Sequence, residues 1–130
     1  MKILVGYDGS NSAKEALDLA KIHAKAFGAA VSVATSMFKG SEGEQEDIRK
    51  AEAGLAYAQS VLEAAGNACD THLLIRGLGP GEDLVQFARD SQVDEIIIGV
   101  KRRSKVGKLV FGSTAQYVIL EAGCPVVTVK

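Results

Sequence analysis

Read as apolar and polar positions, the chain alternates between two periods. Residues 2–7, "KILVGY", form a short apolar run that breaks at Asp8-Gly9-Ser10, the pattern of a buried strand ending in a turn. From Ser12 the spacing becomes helical, with Ala13, Ala16, Leu17, Ala20, Ile22, Ala24 and Phe27 on the predicted apolar side. Ser12 and Glu15 have capping-box spacing, and Gly28 is a natural stop. A second strand is predicted over 29–36, weakened by Ser32, Thr35 and Ser36. Residues 37–43 are a loop of small and polar types. A long helix follows over 44–66, acidic at its start and closed by Gly66. The third strand is predicted over 69–76. "GLGPG" then turns into a helix with Pro80 near its first turn. Residues 94–99 form a fourth strand, residues 113–122 a last helix, and residues 124–130 a fifth strand. Tyr57 and Phe87, at helical spacing, are expected in the core.

Strict alternation of strand and helix implies crossover connections. The expected fold class is α/β, an open, doubly wound parallel sheet of five strands with helices on both faces, Rossmann-like. The strands read as continuous apolar runs, as strands buried on both faces do. No repeat or linker interrupts the pattern, and 130 residues predict a single domain over 1–130. In such a sheet, ligands bind beyond the carboxyl ends of the strands, where strand order reverses. If the first and fourth strands are neighbours, that edge gathers residues 6–10, 33–36 and 99–114.

Composition narrows the picture. Apolar residues make up 47% of the chain, too many for a disordered protein. No apolar stretch approaches the ~18 residues of a membrane span, and the opening run is too short for a signal peptide, so a cytoplasmic protein is expected. The net charge is −1, yet Lys101, Arg102, Arg103, Lys105 and Lys108 crowd one loop, leaving −6 on the remainder. A concentrated cationic patch on an acidic body suits a small anion better than a nucleic acid.

Three places could hold such an anion. "GVKRRSKVGK" fails as a phosphate loop of the Walker type, because Arg102 stands where its first glycine belongs and Leu109 follows Gly107-Lys108. "GLGPG" leads into a helix whose first turn carries Glu82 and Asp83, which already complement the helix dipole. Its glycines read as turn and packing residues. The helix opening at Gly112-Ser113-Thr114 has no acid in its first turn and has cations just upstream. Its free N–H groups suit an anion. The plainer reading is that Ser113 or Thr114 merely caps a helix beside a solvated loop.

At this point the residues resemble the universal stress protein family. Gly99, Gly112 and Ser113 match parts of its nucleotide signature, which runs glycine, two residues, glycine, nine residues, then Gly-Ser or Gly-Thr. "ILVGYDGS" resembles its opening strand and aspartate, and "DEIIIG" with "GSTAQYVILEAGCPVVTVK" its closing half. The likeness spans the whole chain. It implies strand order 3-2-1-4-5 and a site for ATP, or for ADP or AMP. Carried over by motif, the adenine end would lie against Gly6, Tyr7, Asp8 and Ala34. Ribose and phosphates would lie on Ile98, Gly99, Gly112, Ser113 and Thr114, with Ala115 near the last phosphate. The family resemblance also implies a homodimer through the last strand, residues 125–130.

Arg102 departs from the signature, which has its second glycine there. Arginine forfeits close backbone approach. It could instead meet phosphate with its guanidinium fork, helped by Arg103, or mark a branch without tight nucleotide binding. Asp8 reads either as a nucleotide-facing carboxylate, holding Mg2+ through water, or as a turn residue ahead of the first helix. His23 and His72 read as structural side chains. Cys69 and Cys124 have no metal-ligand spacing and read as structural thiols. No nucleophile–base pair is legible, so no catalytic residue is assigned. Three readings follow: a homodimeric adenine-nucleotide sensor, a nucleotide-independent adaptor whose cationic loop meets an acidic protein, and a slow ATPase.

Overall fold

The structure is a computed structural model and describes residues 1–38, 44–100 and 112–130. Nine elements follow in order: β1 (Lys2–Gly6), α1 (Asn11–Phe27), β2 (Ala30–Ser36), α2 (Glu44–Ala64), β3 (Cys69–Leu74), α3 (Pro80–Asp90), β4 (Glu95–Gly99), α4 (Ser113–Glu121) and β5 (Val126–Val129). The five strands form one parallel sheet in the order β3-β2-β1-β4-β5. β1 is central, with Gly6 paired to Ala34 of β2 on one side and to Ile98 of β4 on the other.

Alternation along β1 divides the core. Ile3 and Val5 face α1 and α2 with Leu17, Leu55, Leu62 and Ile97. Leu4 faces α3 and α4 with Leu84, Val85, Ile96, Ile98 and Val118. Both faces are covered, which is why the strand sequences are almost unbroken apolar runs. The buried stripe of α1 is Ala13, Ala16, Leu17, Ala20 and Ala24. Four alanines among five residues let the helix axis lie close to the sheet.

Several local expectations are corrected. The N-cap of α1 is Ser10, not Ser12. Its side chain accepts from the Ala13 N–H at 3.2 Å, because the turn at Asp8-Gly9 starts the helix two residues earlier than a cap at Ser12 would. Ile22 and Phe27 are exposed rather than buried, since the helix already fills its seat with the alanine stripe. Phe27 lies edge-on to His23 instead, with ring centroids 5.4 Å apart. Tyr57 is also exposed, with the Lys14 ammonium 5.6 Å from its ring centroid, while Phe87 is half-buried against His72. Gly28 ends α1 in the left-handed region, as expected, with φ 63°.

His23 Nδ1 lies 2.6 Å from Glu95 Oε1, tying α1 to β4 in a half-buried pair. At the opposite end of the sheet from the cleft, the Lys2 N–H donates to Asp94 Oδ2 at 2.8 Å and the Asp94 N–H donates to the Lys2 carbonyl at 2.8 Å. Those paired bonds set the β1–β4 register. Cys69 and Cys124 are free thiols on β3 and just before β5, at opposite edges of the sheet. Among the described residues, no helix is long and apolar enough to cross a membrane.

Candidate functional site

β1 sends its chain to β2 on one side, while β4 lies on its other side. The carboxyl ends of β1 and β4 therefore diverge, and a cleft opens between them. A cavity of about 420 Å³ occupies this cleft. That volume lies within the range of small-molecule sites, roughly 300–1,000 Å³. Of the residues expected to bind a ligand, Gly6, Tyr7, Asp8, Ala34, Ile98, Gly99, Gly112, Ser113, Thr114 and Ala115 all line it. Arg102 and Arg103, with the other loop cations, lie outside the described residues. The positions before and after them, Val100 and Gly112, are both cavity walls.

The β1 end is built by backbone. The Tyr7 N–H donates to the Ala34 carbonyl at 2.9 Å, and the Tyr7 carbonyl accepts from Thr35 Oγ1 at 2.7 Å. The Tyr7 ring is 4% exposed and belongs to the core beneath α2. A Cβ at Gly54 would stand 3.3 Å from its Cε2. Burial, and then the charges of Tyr57 and Asp8, push the Tyr7 phenol above its ordinary value. Tyr7 is thus a structural wall, not an open stacking face. Next to it, Asp8 Oδ1 accepts from the Ser10 N–H at 2.9 Å, so the turn role expected of Asp8 is real. Asp8 is exposed, lines the cavity, and is the one carboxylate among the described lining residues.

Three helices begin along the cleft with different chemistry. α1 is closed by the Ser10 cap. α3 carries Glu82 and Asp83 in its first turn. α4 has neither device: its N-cap is Gly112, no side chain caps it, and no acid sits in its first turn. The expectation that Ser113 or Thr114 caps this helix is corrected, because both lie inside it. The N–H groups of Ser113, Thr114 and Ala115 have no acceptor within the helix and sit at the cavity wall. The positive end of the helix dipole points the same way.

The two signature glycines serve different purposes. A Cβ on Gly99 would fall 2.5 Å from Ser12 Oγ and 2.6 Å from the Ser12 carbonyl carbon, so Gly99 lets α1 lie against β4. A Cβ on Gly112 would meet none of the described residues within 4 Å, and its φ is an ordinary −64°. Neither packing against the described residues nor backbone conformation requires glycine at 112. In "GLGPG", Gly77 has a φ of 73°, and a Cβ on Gly81 would stand 2.8 Å from Tyr117 Cβ, confirming turn and packing roles.

Sequence reasoning missed a polar cluster behind the cavity wall. Asp83 is fully buried. It accepts from Ser36 Oγ at 2.8 Å and from Arg76 Nε at 2.6 Å, and Arg76 Nη2 completes an ion pair with it. Ser36, Pro80 and Leu84 line the cavity on this side. Among the described residues, no group of three or more His, Cys, Asp or Glu side chains could hold a metal ion.

Comparison with known proteins agrees with this fold. The family model of the universal stress protein family matches residues 1–130. A Thermus aquaticus protein, described as the universal stress protein in the QAH/OAS sulfhydrylase 3′ region, is 33% identical over 98% of this chain and 97% of its own. A universal stress protein structure from Archaeoglobus fulgidus superposes with a TM-score of 0.93 at 39% identity, covering 100% of this chain and 98% of that one. Another A. fulgidus structure, solved in complex with dAMP, gives 0.86 at 35% identity with the same coverage.

Proposed function

The chain belongs to the universal stress protein family, and within it we propose a protein that binds an adenine nucleotide, ATP or its ADP or AMP relatives, in the cleft between β1 and β4. The observation that carries this reading is the α4 N-terminus, uncapped and acid-free, at the end of a cavity of suitable size. The dAMP held by an A. fulgidus relative supports the ligand class.

In this reading the phosphates lie on the N–H groups and hydroxyls of Ser113 and Thr114, with Ala115 near the last phosphate. Gly112, where a Cβ would meet none of the described residues, leaves room for them. The base lies toward the β2 end, against Gly6 and Ala34. Asp8 Oδ1 already accepts the Ser10 N–H, which leaves Oδ2 for a ribose hydroxyl. Mg2+ would arrive with a triphosphate, held by phosphate oxygens and by Asp8 through water. Arg102, Arg103 and the neighbouring lysines, which follow Val100 in the sequence, supply positive charge for the phosphates.

The protein acts as a homodimeric, cytoplasmic sensor in the stress response and not as a dedicated enzyme. Its ATP turnover is at most slow. β5 is an edge strand, and Leu120 is exposed on the adjoining helix. Pairing of residues 125–130 with a second copy would cover that edge. Nucleotide occupancy would then be passed to the dimer contacts or to residues 37–43, and from there to a downstream protein.

Calorimetric titration with ATP and Mg2+, repeated on Ser113→Ala, tests the site. Micromolar binding that weakens in the variant is expected. No heat with the intact chain would favour the second reading, which the arginine at 102 supports: a nucleotide-independent adaptor whose cationic loop meets an acidic protein.

A further inference from the structure

A second cavity, of about 200 Å³, lies between α2 and the carboxyl ends of β1 and β2. Tyr7, Asp8 and Thr35 line both cavities, so the end of β1 stands between them. On α2 the wall is made by Asp47, Lys50, Ala51 and Gly54. They are spaced three and four positions apart and share one face of the helix. Ala51 and Gly54 are small, and with Met37 and Tyr7 they make an apolar patch. A cavity of ~150 Å³ can hold benzene, so this one has room for a side chain of about four carbons and its head group.

Its charges set the second cavity apart. Arg49 pairs with Glu46, three positions back on α2, at 3.0 Å. Lys50 and Asp47 have the same spacing, yet among the described residues neither has an ion-pair or hydrogen-bond partner. Both line the cavity instead. Asp8 commits one carboxylate oxygen to the Ser10 N–H and keeps the other. The Thr35 hydroxyl hydrogen is spent on the Tyr7 carbonyl, which leaves Lys50 as the charged donor of the described wall. Two carboxylates fall short of a metal site, since among the described residues no three metal-ligating side chains gather. A phosphate there would meet two carboxylates for one lysine.

We propose that this second cavity binds a free α-amino acid with a short apolar side chain. Its ammonium group lies on Asp47, beside Asp8, and its carboxylate on Lys50. The side chain lies against Met37 and Ala51. Each charge of the zwitterion then meets its opposite, which neither a simple amine nor a simple carboxylic acid achieves. The inference is independent of the nucleotide reading, because Asp47, Lys50 and Ala51 do not line the larger cleft.

The test is calorimetric titration of the full, nucleotide-free chain with L-leucine. Two further probes each lack one charge: 3-methylbutylamine has no carboxylate and 4-methylpentanoate has no ammonium group. Leucine should bind about tenfold more tightly than either, the loss expected of one charge-assisted contact. Lys50→Gln should weaken leucine by a similar factor and leave the amine unchanged. Asp47→Asn should weaken leucine and leave the carboxylic acid unchanged. Ala51→Leu fills the apolar patch with a good helix former, so it should abolish leucine binding while the thermal midpoint and ATP affinity stay as they were. No heat with millimolar leucine, equal binding of leucine and the amine, or leucine binding that survives Ala51→Leu overturns the inference and leaves the nucleotide site standing. Leucine binding without ATP binding would overturn the nucleotide reading alone.

Discussion

Gly99 and Ser12 meet across the seam between β4 and α1 with no space for a methyl group. The clash would be with the Ser12 carbonyl carbon as well as its side chain, so a rotamer change cannot relieve it. One residue thus serves both the packing of α1 and the floor of the cleft.

Gly99→Ala should accordingly lower stability by about 1–3 kcal/mol, the usual cost of overpacking. Gly112→Ala should stay within about 0.5 kcal/mol in denaturant unfolding, because its methyl group meets none of the described residues. It should nevertheless weaken nucleotide binding, since the proposed phosphate position adjoins it. Unfolding and titration of both variants check this. Unimpaired binding by Gly112→Ala would place the phosphates elsewhere.

Removal of Arg76 would leave the buried Asp83 carboxylate with Ser36 as its remaining side-chain partner. Breaking a buried pair costs up to ~3–5 kcal/mol. Arg76 is 38% exposed, so water already screens part of the interaction. Arg76→Ala should therefore cost about 2–3 kcal/mol in urea unfolding. A loss under about 0.5 kcal/mol would show the pair to be dispensable.

Thiol chemistry should be slow. Burial, then the charges of Asp70 and Glu63, pushes the Cys69 thiol up to about 11. Burial, then Asp94 and Glu95, raises that of Cys124. A raised value keeps the proton on sulfur at neutral pH, and the thiolate is the nucleophile. Alkylation of Cys69 by iodoacetamide should still be accelerating above about pH 10, where an ordinary thiol has levelled off. A plateau below that pH would contradict the assignment.

The cations of 101–108 make a prediction about salt. Screening shortens from ~8 Å at physiological ionic strength to ~3 Å at 1 M, so ATP affinity should fall across that range. Arg102→Gly separates two roles. Preserved or tighter binding means that backbone approach matters at 102, and a marked loss means that the guanidinium holds phosphate.

At the sheet edge, the Ile96 N–H bonds to the Pro125 carbonyl and the Val100 N–H to the Val129 carbonyl. Alternation then turns the Thr128 N–H away from β4. Proline is tolerated at such an edge position. Thr128→Pro should leave the fold intact and convert a dimer to a monomer in light scattering. A dimer that persists would place its interface elsewhere.

The element order was legible because each strand is an apolar run and each helix keeps its own period. The sheet order came through the family resemblance, not through any single strand. Finer features depended on distance in space. Ser36 and Asp83 are 47 positions apart, and only the seating of α3 beside the β2 end reveals their bond. The burial of Tyr57 and Phe27 was misjudged because spacing marks an apolar stripe without saying how wide a seat the sheet offers. Gly99 and Gly112 look alike in sequence, yet among the described residues only the first has a neighbour that demands glycine.

The central place of β1 also matters during synthesis. Its partner β2 ends at Ser36, but β4 does not begin until Glu95. At ~5–20 residues per second, the ribosome leaves one apolar edge of β1 unpaired for several seconds. An exposed strand edge is a template for association. The nascent chain is therefore most in need of chaperone protection over that interval, and a message truncated before residue 95 would yield an aggregating product instead of a smaller domain.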